Sequence, residues 1–600
     1  MMEYSVLYPI ATETRTRISL DGYWYFRFDP VSVGGEERWA ETGLPDPILM
    51  PVPGSFADLF TEPETRDYCG DFWYETTFYA PECGDARELY LRFGSISHRA
   101  TVYVNGREVG SNEGGFLPVV CRITDAVRQG AENRLTVRAN NELSEATLPC
   151  GAVATLSDGR KIAKPYFDFF HYAGIQRSVY LLSLPKEQIL DFDITYELCG
   201  DDAKVHYTVR SNGSSPVFVK LTDADGHTVA EGEGCESTLT VQQAKLWDLG
   251  APYLYTFSAE LRDHDVTVDR YFMPIGIRTF AVRGAELLLN GKPVYLKGYG
   301  KHEDFDVIGR SFNASVAMRD MECMKWSHAN CFRTSHYPYA EEWYQLADRY
   351  GFLIIDEVAA VGMMRSVANF LDAAGGKNSS FFESDTIEEL KREHLRQIRE
   401  LIARDKHHPS VIAWSLFNEP ETTGEAARRY FQDIFDASRD IDPERRPLTG
   451  ALMMASRPEN CRCWDLLDFI CLNRYYGWYA LGGPEFAEAK TACIRELEAW
   501  KAKGISVPIV FTEFGADTLA SEHKLPAVMW SQEYQCDYYR MMGEVFDQYD
   551  FVRGELAWNF ADFQTTEGIM RVNGNKKGVF TRNRQPKDAA FVLRERWANR

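Results

Sequence analysis

Up to about residue 180 the chain alternates apolar and polar positions in short runs separated by turn residues. The runs "YWYFRF" (23–28), "DFWYETTFYA" (71–80), "ELYLRFG" (88–94) and "ATVYVNGREVG" (100–110) have the period-2 pattern of half-buried strands. Asn105-Gly106 within the last of them is a hairpin signal. With no long helical pattern among them, residues 1–182 are expected to form a jelly-roll β-sandwich. The same rhythm continues over 183–276 with "ILDFDITYEL", "KVHYTVRS", "VFVKLTD", "STLTVQQ" and "YLYTFSAEL", the pattern of an immunoglobulin-like sandwich. After that, short apolar runs alternate with amphipathic helical segments such as "TIEELKREHLRQIRELIARD". Eight such runs occur: 294–300, 330–337, 352–358, 411–420, 447–454, 468–476, 508–515 and 554–562. That count predicts a (β/α)8 barrel over residues 277–600.

Composition narrows the class of protein without changing this picture. A chain of 600 residues needs several cores. The formal net charge of −22 opposes binding to nucleic acid or to anionic membrane surfaces, so neither is expected as a partner. No apolar run is long enough for a membrane helix, and the N-terminal "MMEYSVLYPIATETRTR" lacks the basic and apolar regions of a secretion signal. Thirteen scattered cysteines without a CxxC pair suit a reducing compartment, so a cytoplasmic protein is expected. His302-Glu303-Asp304 and His407-His408 do not have HExxH spacing, and no metal or other cofactor is expected.

Candidate chemistry concentrates where the eight predicted strands end, the position of active sites in such barrels. These ends carry Arg333 and His336, Asp356 and Glu357, Asn418 and Glu419, Asn473 to Tyr476, Glu513, and Trp558, Asn559 and Asp562. Glu419 and Glu513 follow the fourth and seventh strands, which face each other across the mouth of an eight-stranded ring. Two facing carboxyl groups are what glycoside hydrolysis requires, one protonated and one ionised.

Asn-Glu-Pro around Glu419, "TEFGADT" around Glu513 and the sandwich–sandwich–barrel order resemble the family 2 glycoside hydrolases. The similarity extends from "LDGYWYF" and "VPGSFAD" through "DFFHYAGIQRSVYL", "GKHED", "IDEVAAVG" and "IARDKHHPSVIAWSLFNEP" to "LNRYYGWY" and "RVNGNKKGVFTR". The resemblance implies Glu419 as acid/base, Glu513 as nucleophile, Asn418 on the sugar 2-hydroxyl and Tyr475 against the nucleophile. It also places Asp168 of the first domain beside the sugar and implies a homotetramer. His336 is expected to donate a hydrogen bond to substrate or to Glu513, Asn473 belongs to the same mouth, and Trp558 can floor a pyranose ring.

The substrate question turns on "GIMRVNGNKKGVF" (568–580), a cation-rich turn in an acidic chain. Asn575 and Lys577 resemble the carboxylate-reading Asn-x-Lys triplet of the branch of the family that cleaves β-glucuronides, with Arg571 and Tyr479 in the same pocket and Lys576 turned to solvent. Asn573 stands where glycine is expected. The expected activity is that of a retaining exo-β-glucuronidase acting on small glucuronides. A β-galacturonidase, a β-galactosidase and a non-catalytic carbohydrate-binding protein remain as alternatives. The long segment 362–385 resembles an extended active-site loop, in which Met363, Met364 and Phe370 could touch the aglycone.

Overall fold

The computed structural model describes residues 7–364 and 381–600. The eight apolar runs form a closed parallel barrel whose strands follow one another in chain order. We number them β1 (Leu296–Gly300), β2 (Cys331–Arg333), β3 (Leu353–Glu357), β4 (Val411–Asn418), β5 (Leu448–Leu452), β6 (Ile470–Asn473), β7 (Ile509–Glu513) and β8 (Val552–Ala557), with β8 pairing back onto β1. Every residue of β4, "VIAWSLFN", is buried. Such a strand has helices on one side and the packed barrel interior on the other, so it shows a continuous apolar run instead of alternation. The helix Ile387–Asp405 turns Leu390, His394, Gln397, Ile398, Leu401, Ile402 and Asp405 inward at steps of three and four, matching its amphipathic pattern.

The two stretches of period-2 sequence form two antiparallel sandwiches. In the first, a four-stranded sheet faces a six-stranded one whose order is Ile48–Val52, Gly22–Asp29, Asp71–Ala80, Ala131–Asn140, Arg99–Val104, Arg107–Glu113. The inward positions of Arg99–Val104, namely Ala100, Val102 and Val104, belong to a core with Trp24, Phe26, Phe72 and Tyr74. The second sandwich packs three strands (Ile189–Cys199, Asp202–Ser211, Glu236–Val241) on four (Thr228–Glu233, Val217–Thr222, Tyr255–Asp263, Val266–Ile275). The chain start differs from the expected partition. Leu7 packs into the core of the second sandwich, and Arg15 forms a fully buried ion pair with Asp269 there. A buried guanidinium needs such a carboxylate.

The sandwiches are fixed to the barrel through buried polar groups. Arg177, from the first, donates to Glu303 Oε2 at 3.1 Å, to Pro338 O at 2.7 Å and to Phe116 O at 2.6 Å. Lys406, from the barrel, donates to Asp191 and Asp193 of the second at 2.6 and 2.7 Å, and His407 stacks on Phe192. Three residues of the histidine and acidic motifs considered as metal ligands are held in ion pairs. Glu303 is taken by Arg177, Asp304 by Arg582, and His408 by Asp348.

Removing one partner of a buried ion pair strands the other, at a cost of about 3–5 kcal/mol. Arg177→Ala is therefore expected to lower the thermal unfolding midpoint well beyond the change caused by an exposed substitution such as Arg445→Ala. Equal midpoints for the two variants would show that Arg177 does not hold the first sandwich to the barrel.

Candidate active site

The barrel mouth is built around one guanidinium. Arg333, at the end of β2, has no exposed surface. Its Nη2 donates to Glu513 Oε1 at 2.5 Å and to Asn418 Oδ1 at 3.2 Å, its Nε donates to Ser335 Oγ at 3.0 Å, and Glu357 Oε2 lies 3.3 Å from Nε. Ends of β2, β3, β4 and β7 are thus tied at a single cation. Asn473, ending β6, donates from Nδ2 to Asn418 Oδ1 at 3.2 Å and to Glu419 Oε1 at 3.1 Å, while its Oδ1 accepts from Thr512. The acceptor of Asn418 is therefore engaged twice, leaving its amide nitrogen for any further contact.

The two carboxyl groups sit in different environments. Glu513 is 4% exposed and accepts from Arg333 and from Tyr475 Oη, the latter at 2.6 Å. Glu419 accepts one neutral amide bond and stays half-buried. Its backbone lies in the left-handed region (φ 49°), with its N–H donating to Ala451 O at 2.9 Å. A non-glycine residue held there costs of order 1 kcal/mol. Burial first, and the charge of Glu513 second, push the Glu419 carboxyl up to about 8.

His336 sits between two carboxylates. Its Nδ1 lies 2.9 Å from Glu357 Oε1 and its Nε2 3.6 Å from Glu513 Oε1. The same Nδ1 lies 3.0 Å from Arg333 Nη2, so this ring nitrogen sits between a carboxylate and a guanidinium, with Glu357 the nearer of the two carboxylates. The imidazole stacks on Trp558, with ring centroids 5.0 Å apart and an interplanar angle of 21°. Trp558 in turn explains a glycine: a Cβ at Gly515 of "TEFG" would lie 1.9 Å from the Trp558 carbonyl oxygen.

The cation-rich turn lies against this mouth. Asn575 pairs with Phe563 just beyond β8, and Gly574, at φ 91°, has no room for a Cβ, which would meet Phe563 O at 2.3 Å. Asn573 takes φ 53° at an exposed position. Asparagine tolerates the left-handed region better than other side chains, so the turn keeps its shape without glycine there. Lys577 has no exposed surface, and its Nζ donates to Tyr479 Oη at 2.7 Å and to Asp517 Oδ2. Arg571 donates to the same Tyr479 oxygen at 2.8 Å and grips Asp168 through Nε and Nη2. Asn575 Nδ2 also reaches Asp168, at 3.2 Å. Lys576 is half-buried, and its backbone N–H donates to Asp517 Oδ1 at 2.8 Å. Of the expected residues, Asn418, Glu419, Asn473, Tyr475 and Glu513 share one hydrogen-bond network with Arg333. Asp168, Tyr479, Arg571, Asn575 and Lys577 share a second. The two meet where the Tyr475 and Tyr479 rings pack edge to face, and Trp558 and His336 stack on each other.

The expected aglycone loop fares differently. Met363 is wholly buried in the barrel core and Met364 packs on Met453 and Ala455, so Met363 has no surface to offer a leaving group. Phe370 lies outside the described residues. One member of the cluster around Lys577 escaped the sequence reading, Asp517. It lies four residues past Glu513 in the quoted "TEFGADT", but a single loop aspartate carries no signal until its partners are known.

Family models divide the whole molecule. The glycosyl hydrolases family 2 sugar binding domain matches residues 18–185, a further glycosyl hydrolases family 2 model matches 184–278, and the family 2 TIM barrel domain matches 280–600. The chain belongs to glycosyl hydrolase family 2. Among family 2 relatives, it is 43% identical over 600 residues to a β-glucuronidase of Paenibacillus borealis, covering 99% of this chain and 98% of that one. It is 39% identical to a β-glucuronidase of Streptococcus agalactiae, with the same coverage of 99% and 98%. Of solved structures, the Ruminococcus gnavus β-glucuronidase in complex with uronic isofagomine superposes with a TM-score of 0.98 at 57% identity, covering 100% of both chains.

Lysine in place of Arg333 keeps the charge but cannot donate from one plane to Glu513, Asn418 and Ser335 together. A misplacement of reacting groups by about 1 Å costs on the order of 100-fold in rate. Arg333→Lys is expected to lose about that much kcat while its circular dichroism stays unchanged. Wild-type turnover in a folded Arg333→Lys protein would show that the network does not orient the site.

Proposed function

We propose that this family 2 glycoside hydrolase is a retaining exo-β-glucuronidase that releases glucuronic acid from small β-glucuronides. The observation that carries the reading is the buried Lys577, held with Arg571, Asn575 and Tyr479 in the same mouth as Glu513. A neutral hexose brings no charge to the donors that Lys577 and Arg571 keep beyond their pairs with Asp517 and Asp168, whereas the C6 carboxylate of a uronate meets them through charge-assisted hydrogen bonds. The uronic inhibitor bound to the 57%-identical Ruminococcus gnavus enzyme supports the same substrate class.

In this reading Glu513 attacks the anomeric carbon as Glu419 gives its proton to the glycosidic oxygen. The aglycone leaves as an alcohol, and a glycosyl ester forms on Glu513. Tyr475 and Arg333 aim the attacking carboxylate, Asn418 holds the 2-hydroxyl, and Trp558 floors the ring. A Glu419 carboxyl raised to about 8 is still protonated at neutral pH and so can act as the acid. Esterification then removes the Glu513 charge, the second cause of that elevation. The Glu419 carboxyl becomes more acidic and turns into the base that deprotonates the hydrolytic water. Attack on the opposite face to the first displacement restores the β configuration.

The reading includes a cytoplasmic homotetramer. All thirteen cysteines are unpaired, which suits a reducing compartment, and Tyr23, Tyr25 and Leu49 form an exposed apolar face on the first sandwich that suits self-association.

Each lost charge-assisted hydrogen bond is worth roughly 1.5–3 kcal/mol, or about 10- to 150-fold. Lys577→Ala should therefore lose at least about 10-fold in kcat/KM on p-nitrophenyl β-glucuronide with little change on the β-galactoside. Equal effects on both sugars, or none on either, would remove the carboxylate role. Because the protonated Glu419 is the active form, kcat/KM is expected to fall as pH rises through about 8. Glu419→Gln should abolish that limb together with most turnover on poor leaving groups.

A further inference from the structure

Asp517 lies on the loop after β7, four residues beyond Glu513, and is essentially unexposed. Both of its oxygens face the cation-rich turn. Oδ1 accepts the backbone N–H of Lys576 at 2.8 Å, Oδ2 pairs with Lys577 Nζ, and the same Oδ2 lies 3.8 Å from Arg571 Nη1. It therefore fixes the turn through its backbone and fixes the direction of the Lys577 ammonium through its charge.

Lys577 also donates to Tyr479 Oη, so two of its three N–H groups are committed. Around them stand the rings of Tyr475, Trp478 and Tyr479, within 5.6, 5.6 and 4.5 Å of Nζ, which accept no further conventional hydrogen bond at their faces. One donor is left for a ligand. Across the pocket Asp168 does the same for Arg571, taking Nε and Nη2. Two cations are thus matched by two carboxylates before any substrate arrives. A buried ammonium with no partner is costly, so the empty pocket requires a resident counter-ion. For Asp517, burial by itself favours the neutral acid, but Lys577 and Arg571 outweigh it and hold the carboxyl below its ordinary range.

We propose that Asp517 is a specificity-determining positioning residue, the resident counter-ion that orients Lys577 so that its third N–H meets the C6 carboxylate of a uronate. This deepens the β-glucuronidase reading and rests on it. In the empty enzyme Asp517 bears the Lys577 charge, and in the complex it shares that charge with the substrate. It touches no sugar atom in this role and acts through Lys577 alone.

The test uses Asp517→Asn in the full chain. The amide oxygen can still accept the Lys576 N–H, so the turn keeps its backbone anchor while the charge is lost. Calorimetric titration with uronic isofagomine and with isofagomine, its C6-hydroxymethyl counterpart, reads the carboxylate contribution directly. The expected result is an affinity loss of at least 10-fold for the uronic inhibitor and under 3-fold for the neutral one. On p-nitrophenyl β-glucuronide, KM is expected to rise at least 10-fold with kcat within about 3-fold, the signature of lost uniform binding. Equal losses for both inhibitors, or no loss for either, would overturn the proposal. If Asn fails to fold, Asp517→Glu serves instead. It keeps the charge with a longer reach, and restored discrimination between the inhibitors supports the counter-ion role while its absence in a folded protein refutes it. A wild-type enzyme that cleaves no β-glucuronide would sink the parent reading and is a separate outcome from these.

Discussion

A guanidinium sealed from water must have its donors met, and in this protein that requirement organises the barrel mouth. Arg333 sits at the end of the shortest barrel strand, yet its donors reach Glu513 on β7, Asn418 on β4 and Ser335 on its own chain, with Glu357 of β3 completing the charge balance. Desolvating this group is expensive unless each of those partners stays in place, so the strand ends are held in register by electrostatics as much as by the ladder between them. The arrangement explains why Glu513 and Glu419 behave differently although both are glutamates at strand ends. Glu513 is drawn into the cationic network, whereas Glu419 is left with a single amide donor and the charge of its neighbour, and its carboxyl rises.

The cation-rich cluster that we propose receives the substrate repeats the principle at a smaller scale. Its cations arrive on a turn after β8, but their partners come from elsewhere: Asp517 from the loop after β7 and Asp168 from the first sandwich. Tyr479 sits between them and accepts from both Arg571 and Lys577. A phenol oxygen that takes two cationic donors while its ring faces Lys577 makes a rigid junction. In the proposed reading, selectivity follows from which anion fits the donors these contacts leave over.

Much of this was legible in the chain. The barrel strands announced themselves because strands buried on both faces become unbroken apolar runs, and Glu419 and Glu513 stood out because they end two strands that face each other across the ring, the arrangement glycoside hydrolysis needs. The sandwich strands were legible for the opposite reason, since Ala100, Val102 and Val104 alternate with half-buried positions. What escaped was pairing at long range. Arg571 and Asp168 are 403 residues apart, and nothing local to either indicates the other. Asp517 was invisible for the same reason, and the path of residues 7–15 onto the second sandwich depends on Asp269, more than 250 residues away. His336 lies 2.9 Å from Glu357 and 3.6 Å from Glu513, and nothing local to it in the chain says which carboxylate is nearer. Met363 illustrates a further limit: an apolar residue in a long loop looks available to a ligand, but here it completes the barrel core.

The grip of Arg571 on Asp168 has a wider meaning for how the domains depend on each other. A ligand that engages Arg571 engages a residue already clasped to the first sandwich, so the energy of binding is distributed over a seam between two separately patterned units. By linkage, whatever tightens that seam raises affinity, and occupancy of the site in turn resists separation of the two units. The sandwich is therefore a working wall of the pocket, and a mutation far out on its surface can be felt in the chemistry as a change in how firmly one arginine is held.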